Sequence, residues 1–477
     1  MRNVQRRRLA LVMLAYCVTP AAGILAGCSP EDLVGEGDLP SDAQDPDVTR
    51  TRQGAIAAYY GTLVTFRNAV AGRENSFIAS SGLLADELHA ASAFGLGFGA
   101  KEVDSRDLPE WTDVTAEQFI GSWYIGPYKQ LHQVRSQSSQ AVALLERYAP
   151  DAPVALTGHL IAAEAYAEVF LADFFCSGIP LSTVEFDGDY TLRPGSTTGQ
   201  VYQHAIELFD RAMALAADSA RLVNLTRVGK GRALLALGQF AEAAQAVAPV
   251  PDGFEYLLAF DATQVTGFET PNSSFIELLG SPNLAFKPLP GMGDLEGGNG
   301  LDYRSSGDPR TAALDNGPSS FFPFSPHQFL PRKYATVEDP PLFAGDVPVV
   351  LADWREARLI EAEAALQGAD IPTFLAKLNQ LRQGYDPVAL PDFTDPGHRD
   401  LRVDLLFRER AFWLFLTGHR HGDLRRLIRQ YGRDPVALFP VGLHPSGVVY
   451  GTQINAPVPA SERLYNRRFT GCIHRGA

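Results

Sequence analysis

The stretch Gly231-x-x-Leu234-x-x-x-Gly238-x-Phe240-x-x-Ala243-x-x-x-Val247 leaves little choice of local structure. Its apolar positions recur at three- and four-residue spacing, so they line one face of each of two successive helices. Gly231 and Ala243 are small enough to let those helices approach closely, while Leu234, Phe240 and Val247 fill the space between them. Gly238 turns the chain, so the helices run antiparallel. A chain built on such pairs is mostly helical.

This small/aromatic spacing is that of a tetratricopeptide unit. Tyr202-x-x-Ala205-x-x-x-Phe209-x-x-Ala212 matches the second half of another unit, with 158–175 as its first half. At 352–384, Ala357, Ala362 and Ala364 face Phe374, Leu378 and Leu381; the helices 400–416 and 420–430 suggest a further pair. Helical spacing is read at 52–71, 77–92, 117–148, 153–175, 198–217, 222–237, 239–249, 350–367, 371–384 and 400–431, with Ile125, Tyr128, Leu131 and Val134 marking one face of the third. The expected class is all-α for the most part: tetratricopeptide-like helix pairs near 153–217, 222–250, 350–384 and 400–431, long irregular loops and a few short strands. The largest stretches without helical periodicity are 89–115 and 262–349, with a strand or hairpin expected around Ser274–Leu279. The second is rich in Gly, Pro, Asp and aromatics, and loops of such length inside a packed protein are usually functional.

The N-terminus reads differently. Residues 1–27 pair an arginine-rich start with an apolar run from Leu9 to Val18, the pattern of a secretory signal. Leu25-Ala26-Gly27-Cys28 resembles the lipobox of bacterial lipoproteins, which makes Cys28 the expected lipid-bearing residue; multiple acyl chains there give a stable anchor. Residues 28–50 are acidic and rich in Pro and Gly, a solvated tether, and 51–477 is expected to be a single domain. No other stretch reads as a bilayer span. The formal net charge is −14, and Arg2, Arg6, Arg7 and Arg8 all lie in the leader, so the mature chain is more acidic still. Phosphate backbones repel such a protein, which excludes a nucleic-acid partner. Attachment to a membrane then rests on the N-terminal lipid alone. Of the four cysteines, Cys176 and Cys472 are either a disulfide pair, as an exported protein permits, or two buried thiols.

Several segments together resemble the SusD/RagB-like nutrient-binding outer-membrane lipoproteins, over nearly the whole chain. The strongest is Arg408-Glu409-Arg410 followed by Leu414-Phe415-Leu416-Thr417-Gly418-His419-Arg420-His421-Gly422-Asp423-Leu424-Arg425-Arg426, with Leu416-Thr417 where the family usually has Phe-Glu. Others are Gly178-Ile179-Pro180-Leu181, Asp308-Pro309-Arg310, Glu361-Ala362-Glu363-Ala364, Asn379-Gln380-Leu381-Arg382, and Ala456-Pro457-Val458-Pro459 with Glu462 and Asn466. The resemblance implies a surface-exposed, lipid-anchored outer-membrane protein. It would bind a glycan or other oligomeric nutrient and pass it to a TonB-dependent SusC-like transporter, without being an enzyme. A helical-repeat envelope scaffold without a nutrient ligand is the alternative, and a surface glycoside hydrolase a third reading.

Motifs of enzymes are missing: no His-Glu-x-x-His, Cys-x-x-Cys, Gly-x-Ser-x-Gly or P-loop occurs. The Arg/His/Asp cluster at 408–426 reads as a buried ion-pair network. Asp86-Glu87 reads as a solvated helix end or an ion pair. No cofactor or metal is expected. Asp294, Glu296, Asn299 and Asp302 carry enough oxygens for calcium, yet lack the EF-hand spacing and read as a solvated acidic loop. Sugar stacking needs exposed aromatic faces; the candidates in the irregular stretches are Trp111, Tyr303, Phe321, Phe322 and Phe324, each of which could instead anchor its own loop against the helices, whereas Trp123, Trp354 and Trp413 lie on helical faces and read as core.

Overall fold

The computed structural model describes residues 46–72, 76–90, 100–110, 122–186, 188–260, 280–282, 300–318, 327–334, 347–444 and 448–477. Two compact units divide at Arg50. The first contributes one described turn, Pro46–Thr49; the second, Thr51–Ala477, holds everything below.

Side-chain caps set where several of its helices begin. Thr51 accepts the Gly54 amide at the start of α1 (Arg52–Arg67), which ends in a π-helical turn at Asn68–Gly72. After α2 (Phe77–Leu84), α3 (Ala100–Asp104), α4 (Ser122–Tyr148) and α5 (Val154–Phe174) comes α6 (Thr198–Leu215), opened by a capping box between Thr197 and Gln200. Next are α7 (Ala220–Ala236), α8 (Phe240–Val247) and α9 (Trp354–Gln367), the last capped by Asp353. Asp370 caps α10 (Ile371–Gln383), and α11 (Arg399–Trp413), α12 (Arg420–Tyr431) and α13 (Ala460–Tyr465) follow.

Each of α4 to α10 packs on the helix before it in this order, and α1 lies against α4, so together they form one stack. The predicted pairs α5/α6, α7/α8 and α9/α10 are all present. Close approach explains the small residues. A Cβ on Gly231 would sit 2.5 Å from Val247 Cγ1, and one on Gly158 would sit 2.8 Å from the Ala212 carbonyl oxygen of α6. Helix α5 has the length and apolarity of a membrane span, contrary to expectation, but 78% of its apolar window is buried within the stack. It is the core helix.

The 400–431 pair packs differently from the other three. Helices α11 and α12 touch through Phe407 and Tyr431, whose ring centroids lie 5.1 Å apart, and through Arg426 over the Phe407 ring, while α12 also lies across α2 and α5 and α11 packs on α9. The end of the expected 77–92 helix also differs, since Leu88–Ala90 is strand β1. So does the start of the 350–367 helix: Val349–Asp353 is a strand, because Asp353 takes the Glu356 amide and fixes the helix start beyond it.

The described strands form short antiparallel ladders. Ile179–Pro180 (β2) pairs Gly195–Ser196 (β5), with Thr183–Val184 (β3) and Tyr190–Thr191 (β4) pairing beside them. Leu88–Ala90 (β1) pairs Gly280–Pro282 (β7), joining the two long insertions. Within the second insertion Ala313–Pro318 (β8) pairs His327–Pro331 (β9), and Glu255–Leu258 (β6) pairs Val349–Asp353 (β10) across its base, with Leu258 opposite Val349. The hairpin expected at Ser274–Leu279 lies outside the described residues. The C-terminal segment returns along the end of α5, where Cys176 N donates to Ala456 O (2.8 Å) and Ile473 N to Ser177 O (2.7 Å). Gly178, at φ 123°, keeps this crossing open, since a Cβ there would meet the Ile473 nitrogen at 2.9 Å.

Two glycine substitutions should shift stability in opposite directions. Gly158→Ala forces α5 and α6 apart and should cost about 1–3 kcal/mol. Gly61→Ala, on the exposed face of α1 with nothing within 4 Å of the new methyl, should stabilise by roughly 0.5–1 kcal/mol. Urea unfolding of both variants beside the parent checks the signs.

Candidate functional site

Between α11 and α12 the chain reverses through Leu416 and Gly418, both left-handed at φ 53° and 80°. That conformation is costly for leucine. The buried Glu87 carboxylate offsets the cost by accepting the Leu416 amide at 2.8 Å, and burial pushes its own carboxyl up to about 7.

The reversal brings arginines of both helices onto carboxylates from distant parts of the chain. Arg410 grips Asp423 through two nitrogens (2.7 and 3.0 Å), Arg420 grips Asp86 (2.6 and 2.7 Å) and Arg426 grips Glu363 of α9 (2.6 and 2.7 Å). Arg232 of α7 binds Glu356 of α9 (2.7 and 2.8 Å), and His419 Nε2 lies 3.0 Å from the same carboxylate. Arg425 Nη1 donates to the carbonyls of Ala172 (2.7 Å), Asp173 (2.6 Å) and Phe175 (3.2 Å), closing the C-terminal end of α5. All of these charged groups are buried. Burial alone would raise the Glu356 carboxyl, but Arg232 and His419 hold it well below the usual carboxylate range; against burial, Arg410 and Arg426 also lower the Asp423 carboxyl. The cluster is therefore an internal ion-pair network, and its side chains are engaged with protein partners. The adjacent carboxylates separate likewise, Asp86 to Arg420 and Glu87 to the Leu416 amide.

On its outer side the network borders a cleft of about 330 Å³ between α11, β10 and the second insertion, within the size range of small-ligand pockets. Trp413 and Tyr385, both half-buried, meet edge to face with ring centroids 5.8 Å apart. Arg310 lies over the Trp413 ring at 4.8 Å, held there by Asp308 (2.7 Å) and Glu409 (2.8 Å). Glu409 also takes Arg382 (3.0 Å) and the Trp413 indole N–H (3.1 Å), so the aromatic wall is fixed from behind. Arg355, bonded to Glu255 (2.7 Å) and Asp353 (2.9 Å), stands at the rim. Tyr334 and Val347 both line this cleft. Flat faces beside charged and polar groups can stack on a sugar ring and bond its hydroxyls.

Of the residues expected to contact ligand, only Tyr303 is described, and it does not line this cleft. Tyr303 is a correction: it is fully buried, its ring 5.4 Å from Phe412 and 4.8 Å from Phe415. The neighbouring Asp302 is clamped by Arg408, which turns the tyrosine into the core and also uses the one described carboxylate of the acidic loop 294–302. Trp111, Phe321, Phe322, Phe324 and Cys28 lie outside the described residues, as do Asp294, Glu296 and Asn299. Among the described residues no cluster of metal-binding side chains occurs. Trp123 is core and Trp354 packs against it, but Trp413 faces the cleft. Tyr385 escaped sequence reasoning, because it lies in the loop between α10 and α11, outside the two long irregular stretches; its place just after the Asn379–Arg382 motif is the signal that could have flagged it. In the structure Cys176 and Cys472 are joined by a disulfide.

No family model matches the sequence, and no curated protein matches it either. Solved structures do match. A SusD superfamily protein from Bacteroides vulgatus superposes with a TM-score of 0.61 at 15% identity, covering 90% of this chain and 100% of that one. A laminarin-binding SusD-like protein gives 0.58 at 15% identity, covering 89% and 99%. A SusD-like carbohydrate-binding protein from Bacteroides vulgatus gives 0.56 at 12% identity, covering 88% and 97%. Helix-pair stack, insertions and returning C-terminus define one class of architecture. It is the SusD-like fold.

The disulfide makes a direct prediction. Intact mass of the denatured protein treated with an alkylating reagent should show Cys176 and Cys472 unmodified before reduction and both modified after it. Modification without reductant would contradict the bond.

Proposed function

We propose that this protein is a SusD-like nutrient-binding lipoprotein that captures a glycan and passes it to a TonB-dependent SusC-like transporter, without transforming it. The observation that carries the reading is the Trp413–Tyr385 wall, held rigid by Glu409 and Arg310 in a fold it shares with a laminarin-binding protein. Rigid aromatic faces are suited to sugar rings because they bury apolar C–H surface at little entropic cost. Lipid on Cys28 and the 28–50 tether would hold the protein at the outer membrane, on the cell surface. Trp111, Phe321, Phe322 and Phe324 are proposed to extend the ligand surface beyond the cleft.

The test is calorimetric titration of the mature protein with a panel of gluco-oligosaccharides. A member of the panel should bind, and Tyr385→Ala should weaken that binding at least about tenfold, or 1.4 kcal/mol, with an unchanged melting temperature. Trp111→Ala should also weaken it. Binding unaffected by Tyr385→Ala removes the cleft from the site. No binding across a broad glycan array, with a transporter barrel still co-purifying, favours the scaffold reading.

A further inference from the structure

Behind the cleft lies a second, smaller space. It measures about 20 Å³ and sits among the ends of α5, α7, α11 and α12, lined by Asp173, Arg232, Arg410, His419, Asp423 and Arg426 beside Gly422. Water fills polar cavities of this size as a rule, but the hydrogen-bond inventory here is one-sided. Arg232 Nη1, Arg410 Nη1 and Arg426 Nε are buried with no hydrogen-bond partner, although Arg410 Nη1 lies 4.0 Å from Glu363 and Arg426 Nε 3.5 Å from Asp423. The rest of these guanidinium groups are engaged: Arg232 with Glu356 and the Leu351 carbonyl, Arg410 with Asp423, Arg426 with Glu363. The atoms left without partners around this space are nitrogens, and a guanidinium can only donate.

We propose that this cavity binds a single halide ion, chloride under ordinary conditions. A water would satisfy some of the donors but bring hydrogens of its own that need acceptors, whereas a halide only accepts. The volume admits one monatomic occupant and is too small for sulfate or phosphate. The N-terminal turn of α12 has no side-chain cap, and its positive dipole end adds to the attraction. Gly422 keeps the space open, since a Cβ there would lie 3.0 Å from Asp173 Oδ1. Both carboxylates at the site already have partners: Asp423 pairs with Arg410 and Arg426, and Asp173 accepts the Tyr202 hydroxyl at 2.5 Å, while burial raises its carboxyl. His419 lines both this cavity and the open cleft, so its side chain stands between the two. So placed, the ion bridges the helix stack through Arg232 to α11 and the start of α12.

Crystals of the mature protein soaked in sodium bromide and measured at the bromine edge test this directly. An anomalous peak between Arg232 and Arg410 is expected, with a melting temperature a few degrees higher in sodium chloride than in sodium gluconate at equal ionic strength. Gly422→Ala, which fills the cavity, should abolish the peak and the chloride dependence. A cavity without bromide, while bromide occupies surface positions in the same crystal, overturns the proposal. So does a chloride dependence that persists in a folded Gly422→Ala variant, since it would then come from surface screening.

Discussion

Pairing of buried arginines with buried carboxylates holds this architecture together at the point where its repeats end. A helix stack closes on itself through apolar contacts between neighbours, but α11 and α12 leave that pattern and must be tied to elements far away in sequence. Arg420 reaches Asp86, Arg426 reaches Glu363 and Arg425 reaches the last carbonyls of α5. Each pairing removes charge from water at a high cost that only good geometry recovers. The two-pronged contacts meet that requirement, and they specify one docking of α12 where apolar packing alone would tolerate several.

The same network shapes the outer surface. Glu409 faces inward on α11, yet it positions Arg310 from the second insertion, Arg382 from α10 and the Trp413 indole at once. The cleft wall is thus rigid for the same reason that the core is. Function is proposed to lie in this wall and in the insertions, whereas the motif residues support it through their ion pairs. A Glu/Arg/His-rich motif that in another setting would suggest catalysis here orders backbone and rings.

Much of the helical layout was readable in advance because it rests on local spacing. Gly231 against Val247, and Phe209 within the α6 face, announce helix pairs without knowledge of anything remote. The errors fall where a single side chain or a distant partner decides. Asp353 converts an apparent helix start into a cap, and a three-residue strand at Leu88–Ala90 exists because Gly280–Pro282 pairs with it. Periodicity also could not show that α12 lies across α2 and α5. Tyr303 is a ligand candidate only through its place in an irregular stretch; with Arg408 holding Asp302, its ring is buried. The ionic character of the 408–426 segment was legible from composition, but the partners Asp86, Glu356 and Glu363 lie too far off in sequence to be named from it.

The most direct test of this account is the equilibrium urea unfolding of Glu363→Gln, which leaves Arg426 buried opposite an amide of nearly the same shape. A loss of about 3–5 kcal/mol is expected, with the exposed pair Arg52–Asp151 as control: Asp151→Asn should leave the midpoint where it was. A Glu363→Gln protein as stable as the parent would mean that the buried ion pairs do not hold α12 in place, and the account would fail.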